Sequence, residues 1–265
     1  MSCESVRHRL RATFEEVPDL YDRARPGYPA KLFDDLVELA KLPEGARLLE
    51  LGCGTGKATL PLAERAFELV CVELGQSLAH VARRNLAAFP KVQIVQTAFE
   101  EWEPPRMPFD AVVAFTAFHW IDPEVRYAKP AALLRRTGAL AVVSTQHVLP
   151  EGGDPFFVEV QDDYDAIVPS DETRPPPHPS EVSDLSEEMA TSGFFHPAAV
   201  RHQLWDVVYS AGEYIGVLDT YSGHRSLDGA TRERLYERIR RRIESRPEPR
   251  VRKTYLATLT VARRL

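Results

Sequence analysis

The chain has little cysteine, no surplus of positive charge and no long apolar run, and each shortage removes a class of protein. Its three cysteines, Cys3, Cys53 and Cys71, are odd in number and widely spaced. They read as small core or loop residues of a reducing compartment, not as a disulfide framework. A net charge of −6 over 265 residues argues against a dedicated nucleic-acid binder, whose footprint is usually basic. Arg7, Arg9 and Arg11 interrupt the N-terminus, and no apolar stretch is long enough to span a bilayer. A cytoplasmic protein with no membrane segment is expected. The histidines His147, His178, His196 and His202 have no regular ligand spacing, so no metal site is expected either.

What remains is ample for a core. Hydrophobic residues make up 44% of the chain, and its length suits one α/β domain with an insertion, or a core with a small cap. The stretch that organises the reading is Arg47-Leu48-Leu49-Glu50-Leu51-Gly52-Cys53-Gly54-Thr55-Gly56-Lys57. An apolar run ends in an acid, three glycines alternate, a helix follows over 58–66, and a second apolar run (69–72) ends in Glu73. Glycines permit positive φ and let backbone N–H groups approach a ligand. A carboxylate at the tip of the neighbouring strand can accept both hydroxyls of a ribose. A nucleoside-bearing cofactor is implied.

The spacing discriminates among cofactors. A dinucleotide fingerprint needs a third glycine where Lys57 stands, and a P-loop needs Ser or Thr where Ala58 stands. Glu50 is unfavourable beside a pyrophosphate and favourable beside a cationic ligand end. The run Glu50-Leu51-Gly52-Cys53-Gly54-Thr55-Gly56 resembles motif I of the class I S-adenosylmethionine-dependent methyltransferases, and Glu73 matches the ribose-binding acid of that family. The resemblance implies a doubly wound, Rossmann-like sheet of seven strands, the last antiparallel, with a helical cap over the active site. S-adenosyl-L-methionine is the implied cofactor.

Further along, Tyr21-Asp22-Arg23-Ala24-Arg25-Pro26-Gly27-Tyr28-Pro29 is expected to be extended, because two prolines and a glycine punctuate it. It reads either as a linker or as a segment folding over the cofactor. The same run resembles a subset of small-molecule methyltransferases in which the tyrosine and arginine, here Tyr21 and Arg25, approach the cofactor's methionine end. Helices are expected over 5–16, 30–41 and 78–86, and strands over 92–95, 109–115 and 138–144, with a helix over 125–135 opened by Asp122-Pro123. Residues 1–41 are read as an N-terminal lid and 42–265 as the core, with cap insertions at about 146–182 and 211–247. A strand over 200–209, two helical stretches (212–221 and 228–245) and a final strand over 252–262 complete the chain. The arginine-rich stretch Arg232 to Arg242, interleaved with Glu233 and Glu237, reads as a solvated face.

For the chemistry, ligands of a doubly wound sheet lie outside the carboxyl ends of its strands. That places Leu74, Ala98 and Phe99 beside an adenine whose ribose is on Glu73, though Phe99 equally suits a core aromatic. Phe115, with Glu50, Gly52, Cys53, Gly54 and Gly56, completes the candidate cofactor set. The fourth-strand tip, Phe115-Thr116-Ala117-Phe118-His119-Trp120, carries His119 as candidate base, because histidine titrates near neutrality. Its other reading is a histidine that orients the substrate. Tyr28, Trp120, Tyr221, His224 and Arg225 are candidate acceptor-binding residues; for the last three the alternative is a glycine-capped helix end. The tip lacks the Asn/Asp-Pro-Pro run of amino-methylating enzymes and the acidic cluster of a magnesium site, and it resembles the trans-aconitate-like small-molecule group. Metal-independent methyl transfer to oxygen or carbon of a small molecule, by a monomer or homodimer without nucleic-acid or membrane partners, is the expectation. A non-catalytic cofactor binder and a nicotinamide oxidoreductase are the alternatives.

Overall fold

The computed structural model describes residues 17–104, 106–168 and 174–265; Cys3 and the helix expected over 5–16 lie outside the described residues. Seven strands form one mixed sheet: β1 (Arg47–Leu51), β2 (Glu68–Glu73), β3 (Val92–Gln96), β4 (Phe109–Phe115), β5 (Leu134–Val148), β6 (Ala199–Ser210) and β7 (Arg250–Arg263). Their order is β3-β2-β1-β4-β5-β7-β6. Strands β1 to β5 pair in parallel, and β7 is the antiparallel member. The chain winds outward from β1 in one direction to β3 and then in the other to β4. The crevice between the carboxyl ends of β1 and β4 is therefore the topological switch point, where such sheets bind ligands.

The chain divides into two compact units. The first holds Gly27–Thr145, Ser183–Gln203 and Ala257–Leu265, and the second the described parts of Met1–Pro26, Gln146–Val182 and Leu204–Leu256. In the first unit the parallel strands are buried on both faces, which their near-continuous apolar sequences require. Leu49 and Leu51, Val70 and Val72, Val112 and Ala114, and Leu140 and Val142 alternate onto one core with Phe99, Trp102 and Phe118. Helix Ala30–Ala40 buries Leu32, Phe33, Leu36 and Ala40 and stops where Lys41 turns left-handed at φ 50°.

The second unit packs Phe156, Phe157, Tyr214, Val217 and Leu218 against Leu235, Ile239 and Ile243. Those last three recur every four residues along helix Gly229–Glu244, whose first turn is capped when Asp228 accepts from Thr231 N at 3.0 Å. The arginine stretch is not uniformly solvated: Arg238 and Arg242 both turn onto the buried carboxylate of Asp163.

Two local expectations are corrected. Residues Pro18–Ala24 are helical, because Pro18 sits in the first turn where its missing N–H is not needed; only 25–29 remain non-helical. The helix expected over 125–135 shortens to Ala128–Leu133. Pro130 cannot donate to an upstream carbonyl, so it must lie in a first turn, and the helix starts late.

Candidate functional site

At the carboxyl end of β1 the chain makes a left-handed zigzag, with φ of +67° at Gly52, +57° at Gly54 and +90° at Gly56. At Gly52 a Cβ would sit 2.6 Å from Ala117 Cβ, and at Gly56 one would sit 2.9 Å from Leu86 Cδ1. Beside Gly54 nothing lies within 4 Å of that position, so this backbone faces open space. The loop is stapled from both sides. Gly52 N donates to Val72 O at 2.8 Å, and Asn85 Nδ2 donates to Thr55 O at 3.0 Å.

Glu73, at the tip of β2, is oriented by two backbone donors. Its Oε2 accepts from Gly54 N and its Oε1 from Gly75 N, each at 2.8 Å. The next residue, Leu74, is 38% exposed, an apolar side chain at the strand tip. Glu50 turns the other way, beneath the loop. Only 1% exposed, it accepts from Thr59 Oγ1 at 2.7 Å and from Cys71 Sγ at 3.7 Å. Burial pushes its carboxyl up to about 7. A hydrogen bond with Cys71 and burial hold the Cys53 thiol well above its ordinary value, and burial does the same for Cys71. Both thiols are inert packing groups.

Following β3, Thr97 N donates to Glu73 O at 3.0 Å, which brings the Ala98–Phe99 turn beside the β2 tip. Phe99 is buried and packs on Trp102. Beneath this turn Lys129 Nζ donates to the carbonyls of Phe99, Glu100 and Trp102 at 2.7, 3.0 and 2.8 Å. Glu100 in turn accepts from Asp122 N at 3.0 Å, tying the turns after β3 and β4 together. The β4 tip is strained: Thr116 has φ +54°, a left-handed conformation costly for a β-branched residue. Its hydroxyl lies 3.1 Å from that of Tyr28. Tyr28, Phe33 and Phe115 form an aromatic trio with centroids 5.2 to 6.3 Å apart.

Over this geometry lies a sequence match: residues 48–138 fit the family model described as methyltransferase domain. The glycine loop and the ends of β2 and β4 lie inside that matched stretch. The uncharacterized methyltransferase Rv3342 of Mycobacterium tuberculosis is 34% identical to it over 143 residues, 54% of this chain and 55% of that protein. The chain thus spans about half the length of the curated relatives it matches. A putative type II methyltransferase from Anaeromyxobacter dehalogenans shares the fold with a TM-score of 0.63 at 24% identity, over 90% of this chain and 97% of that one. A phosphoethanolamine N-methyltransferase of Haemonchus contortus, solved with phosphomonomethylethanolamine and S-adenosylhomocysteine, does so with a TM-score of 0.54 at 14% identity, over 94% of this chain and 57% of that one.

The structure gathers Glu50, Gly52, Cys53, Gly54, Gly56, Glu73, Leu74, Ala98, Phe99, Phe115 and Tyr28 around the ends of β1, β2, β3 and β4. His119 stands on the short 3₁₀ turn Phe118–His119–Trp120, exposed to solvent and 4.7 Å from Trp120, centroid to centroid. Surrounding protein atoms pull its pKa below the ordinary value by desolvation; its exposure argues for a small effect.

The remaining candidates fall in the second unit and meet one another. Arg25 Nε donates to Thr220 Oγ1 at 2.7 Å, and its guanidinium stacks 4.1 Å over Tyr221 and 5.3 Å from Tyr21. His224 Nε2 lies 2.9 Å from the Tyr164 hydroxyl, and Arg225 reaches Asp219. Sequence reading missed Lys129, Thr116 and Lys253, the last of which donates to the Tyr221 hydroxyl at 2.8 Å. Only Lys253 left a trace, as a lysine inside an otherwise mostly apolar final strand. Among the described residues no cluster of His, Cys, Asp or Glu is arranged to hold a metal, and no helix is long and apolar enough to cross a membrane.

Proposed function

We propose that this protein transfers the methyl group of S-adenosylmethionine to oxygen or carbon of a small molecule, by in-line displacement without a metal. The observation that carries the reading is the pairing of Gly54 with Glu73. A left-handed glycine with open space beside it donates its N–H to a carboxylate on the neighbouring strand tip. That is a cradle for a ribose, and the carboxylate at its wall suits a ligand without phosphate.

The residues fit the group. Glu73, held in orientation by Gly54 and Gly75, is the acceptor for the ribose hydroxyls, and Leu74 with the Ala98–Phe99 turn offers apolar contact to a base. Glu73 makes the potential beside the loop negative, favourable to a cationic ligand end. When bound, S-adenosylmethionine supplies an activated methyl group on a sulfonium. The chain's part is to position a nucleophile and exclude water. Tyr28 and Thr116 present hydroxyls at the switch point, and Trp120 beside His119 forms an apolar wall. Desolvation favours the neutral form of His119, which can take a proton from an acceptor hydroxyl or hold that hydroxyl in line.

Calorimetric titration with S-adenosylmethionine, S-adenosylhomocysteine and NAD, with Glu73→Ala as control, tests the reading. Binding of the sulfonium cofactor and its loss in the variant are expected; tight NAD binding with no response to either adenosyl ligand would sink it. Release of S-adenosylhomocysteine with a panel of hydroxylated and acidic acceptors then separates an enzyme from a binder. His119→Ala should lower turnover more than cofactor affinity.

A further inference from the structure

The second unit holds a group of charges that the methyl-transfer chemistry does not absorb. Lys253, on β7, is 2% exposed. Its ammonium donates to the Tyr221 hydroxyl at 2.8 Å and faces the rings of Tyr221, Tyr255 and Tyr214 at 5.0, 5.0 and 5.8 Å. On the Tyr221 ring lies Arg25, anchored through Nε and Nη2 to Thr220. Among the described residues no carboxylate lies within 4.0 Å of either cation. The neighbouring acids are engaged elsewhere: Asp163 with Arg238 and Arg242, Asp154 with Arg246, and Asp219 with Arg225.

Buried charge is costly unless paired, and aromatic faces soften that cost without neutralising it. Tyr221 registers the imbalance. Burial raises its pKa, but Lys253 and Arg25 more than offset this, so the phenol ends below its ordinary value. One phenolate would answer one of the two positive charges. His147 supplies no compensation: burial and Lys253 hold it neutral, and its Nε2 has no hydrogen-bond partner among the described residues.

We propose that Arg25 and Tyr221 bind an oxyanion carried by a small molecule, a carboxylate or a phosphate ester, with Lys253 beneath them as a positioning residue. Arg25 and Tyr221 are partly exposed, so they touch the anion. Lys253, donating to the phenol oxygen, leaves the Tyr221 O–H as a donor and supplies the charge behind it. Arg25 is thereby read as holding this anion and not the cofactor's carboxylate.

The test uses the full chain with benzoate, phenyl phosphate and the neutral benzyl alcohol as probes, read by calorimetry and by thermal melting. At least one anion should bind saturably and raise the melting temperature, whereas benzyl alcohol should not; which anion does so identifies the oxyanion. Lys253→Met should melt above the wild type without anion, because an uncompensated charge is gone, and should bind the anion at least about 30-fold more weakly. A merely structural lysine would lower the melt and leave anion affinity alone. Arg25→Gln, at a partly exposed position, should weaken the anion without unfolding the protein. No saturable binding of either anion, or undiminished binding in both variants, overturns the proposal. So does competition of the anion by S-adenosylhomocysteine but not by 5′-methylthioadenosine, which would return the cations to the cofactor. Anion binding that persists while S-adenosylhomocysteine fails to bind would refute the methyl-transfer reading and leave this site standing.

Discussion

Glu50→Gln isolates the buried charge beneath the glycine loop. Burial raises this carboxyl from 4.5 to about 7, so the native protein keeps a proton that the unfolded chain has released. Stability from that group is therefore full below about pH 4.5, declines as pH rises towards about 7, and stays low above it. A gap of about 2.5 units corresponds to about 3 kcal/mol. Glutamine has nearly the same shape, cannot ionise, and can still accept from Thr59 Oγ1 and Cys71 Sγ through its carbonyl oxygen. The variant should gain about 2 to 3 kcal/mol relative to wild type between pH 5 and pH 8.

The comparison must be a difference, because other groups slope the opposite way. His147 and His224 have pKa values lowered by burial, to about 2 and about 4. The stability they contribute is present above about 6.5 and lost as pH falls, in both proteins alike. Guanidinium unfolding at half-unit steps from pH 5 to 8, with an unchanged m-value, gives the difference directly. A curve flat to within about 0.5 kcal/mol would show that Glu50 ionises as an ordinary carboxylate and that its burial is offset by something the geometry lacks. Under the proposed function, saturating S-adenosylmethionine should shrink the difference, since a cationic ligand favours the charged carboxylate.

Three further outcomes follow from the same region. Gly52→Ala must fit a Cβ 2.6 Å from that of Ala117 at φ +67°, and should lose about 2 to 4 kcal/mol in urea. Gly54→Ala meets no atom and should lose only the about 1 to 2 kcal/mol of left-handed strain, while weakening S-adenosylhomocysteine in calorimetry far more than that predicts. Lys129→Met removes the ammonium donor shared by three carbonyls and should cost about 2 to 3 kcal/mol, with faster hydrogen exchange confined to residues 98–102 and their neighbours.

The parallel strands and the glycine turn were legible because each is written locally. Short apolar runs ending in acids, three alternating glycines and an amphipathic helix carry their own periodicity, and β1, β2 and β4 appear within a residue or two of the expected bounds. Legibility fails where a partner lies far along the chain. Arg25 meets Thr220 across 195 positions, and Lys129 meets Phe99 across 30; no spacing rule announces either. The Tyr21 run illustrates a local conflict: Pro26 and Pro29 argued for an extended segment, while Pro18 started a helix upstream of both. Asp163 illustrates the same limit for charge. An arginine-rich helix with interleaved acids looks solvated until a buried carboxylate from elsewhere claims two of its members.

Four of the nine described residues with positive φ cluster in one place. Gly52, Gly54, Gly56 and Thr116 all have positive φ, and all lie at the carboxyl ends of two adjacent strands, β1 and β4. Three of the four are glycines, for which the conformation costs little; Thr116 is not, and its strain persists only if the surroundings over-determine it. They do. Its N–H donates to Val143 O at 2.7 Å, its hydroxyl meets Tyr28, and its neighbour Ala117 occupies the space that Gly52 leaves by having no side chain. Glycine at 52 is therefore required by two things at once, the turn of its own loop and the close approach of the β4 tip. That shared requirement couples the loop read as holding the donor to the tip read as holding His119. A change that loosens one displaces the other, so the spacing between them is fixed by packing before any ligand arrives, as a reaction that depends on in-line alignment demands.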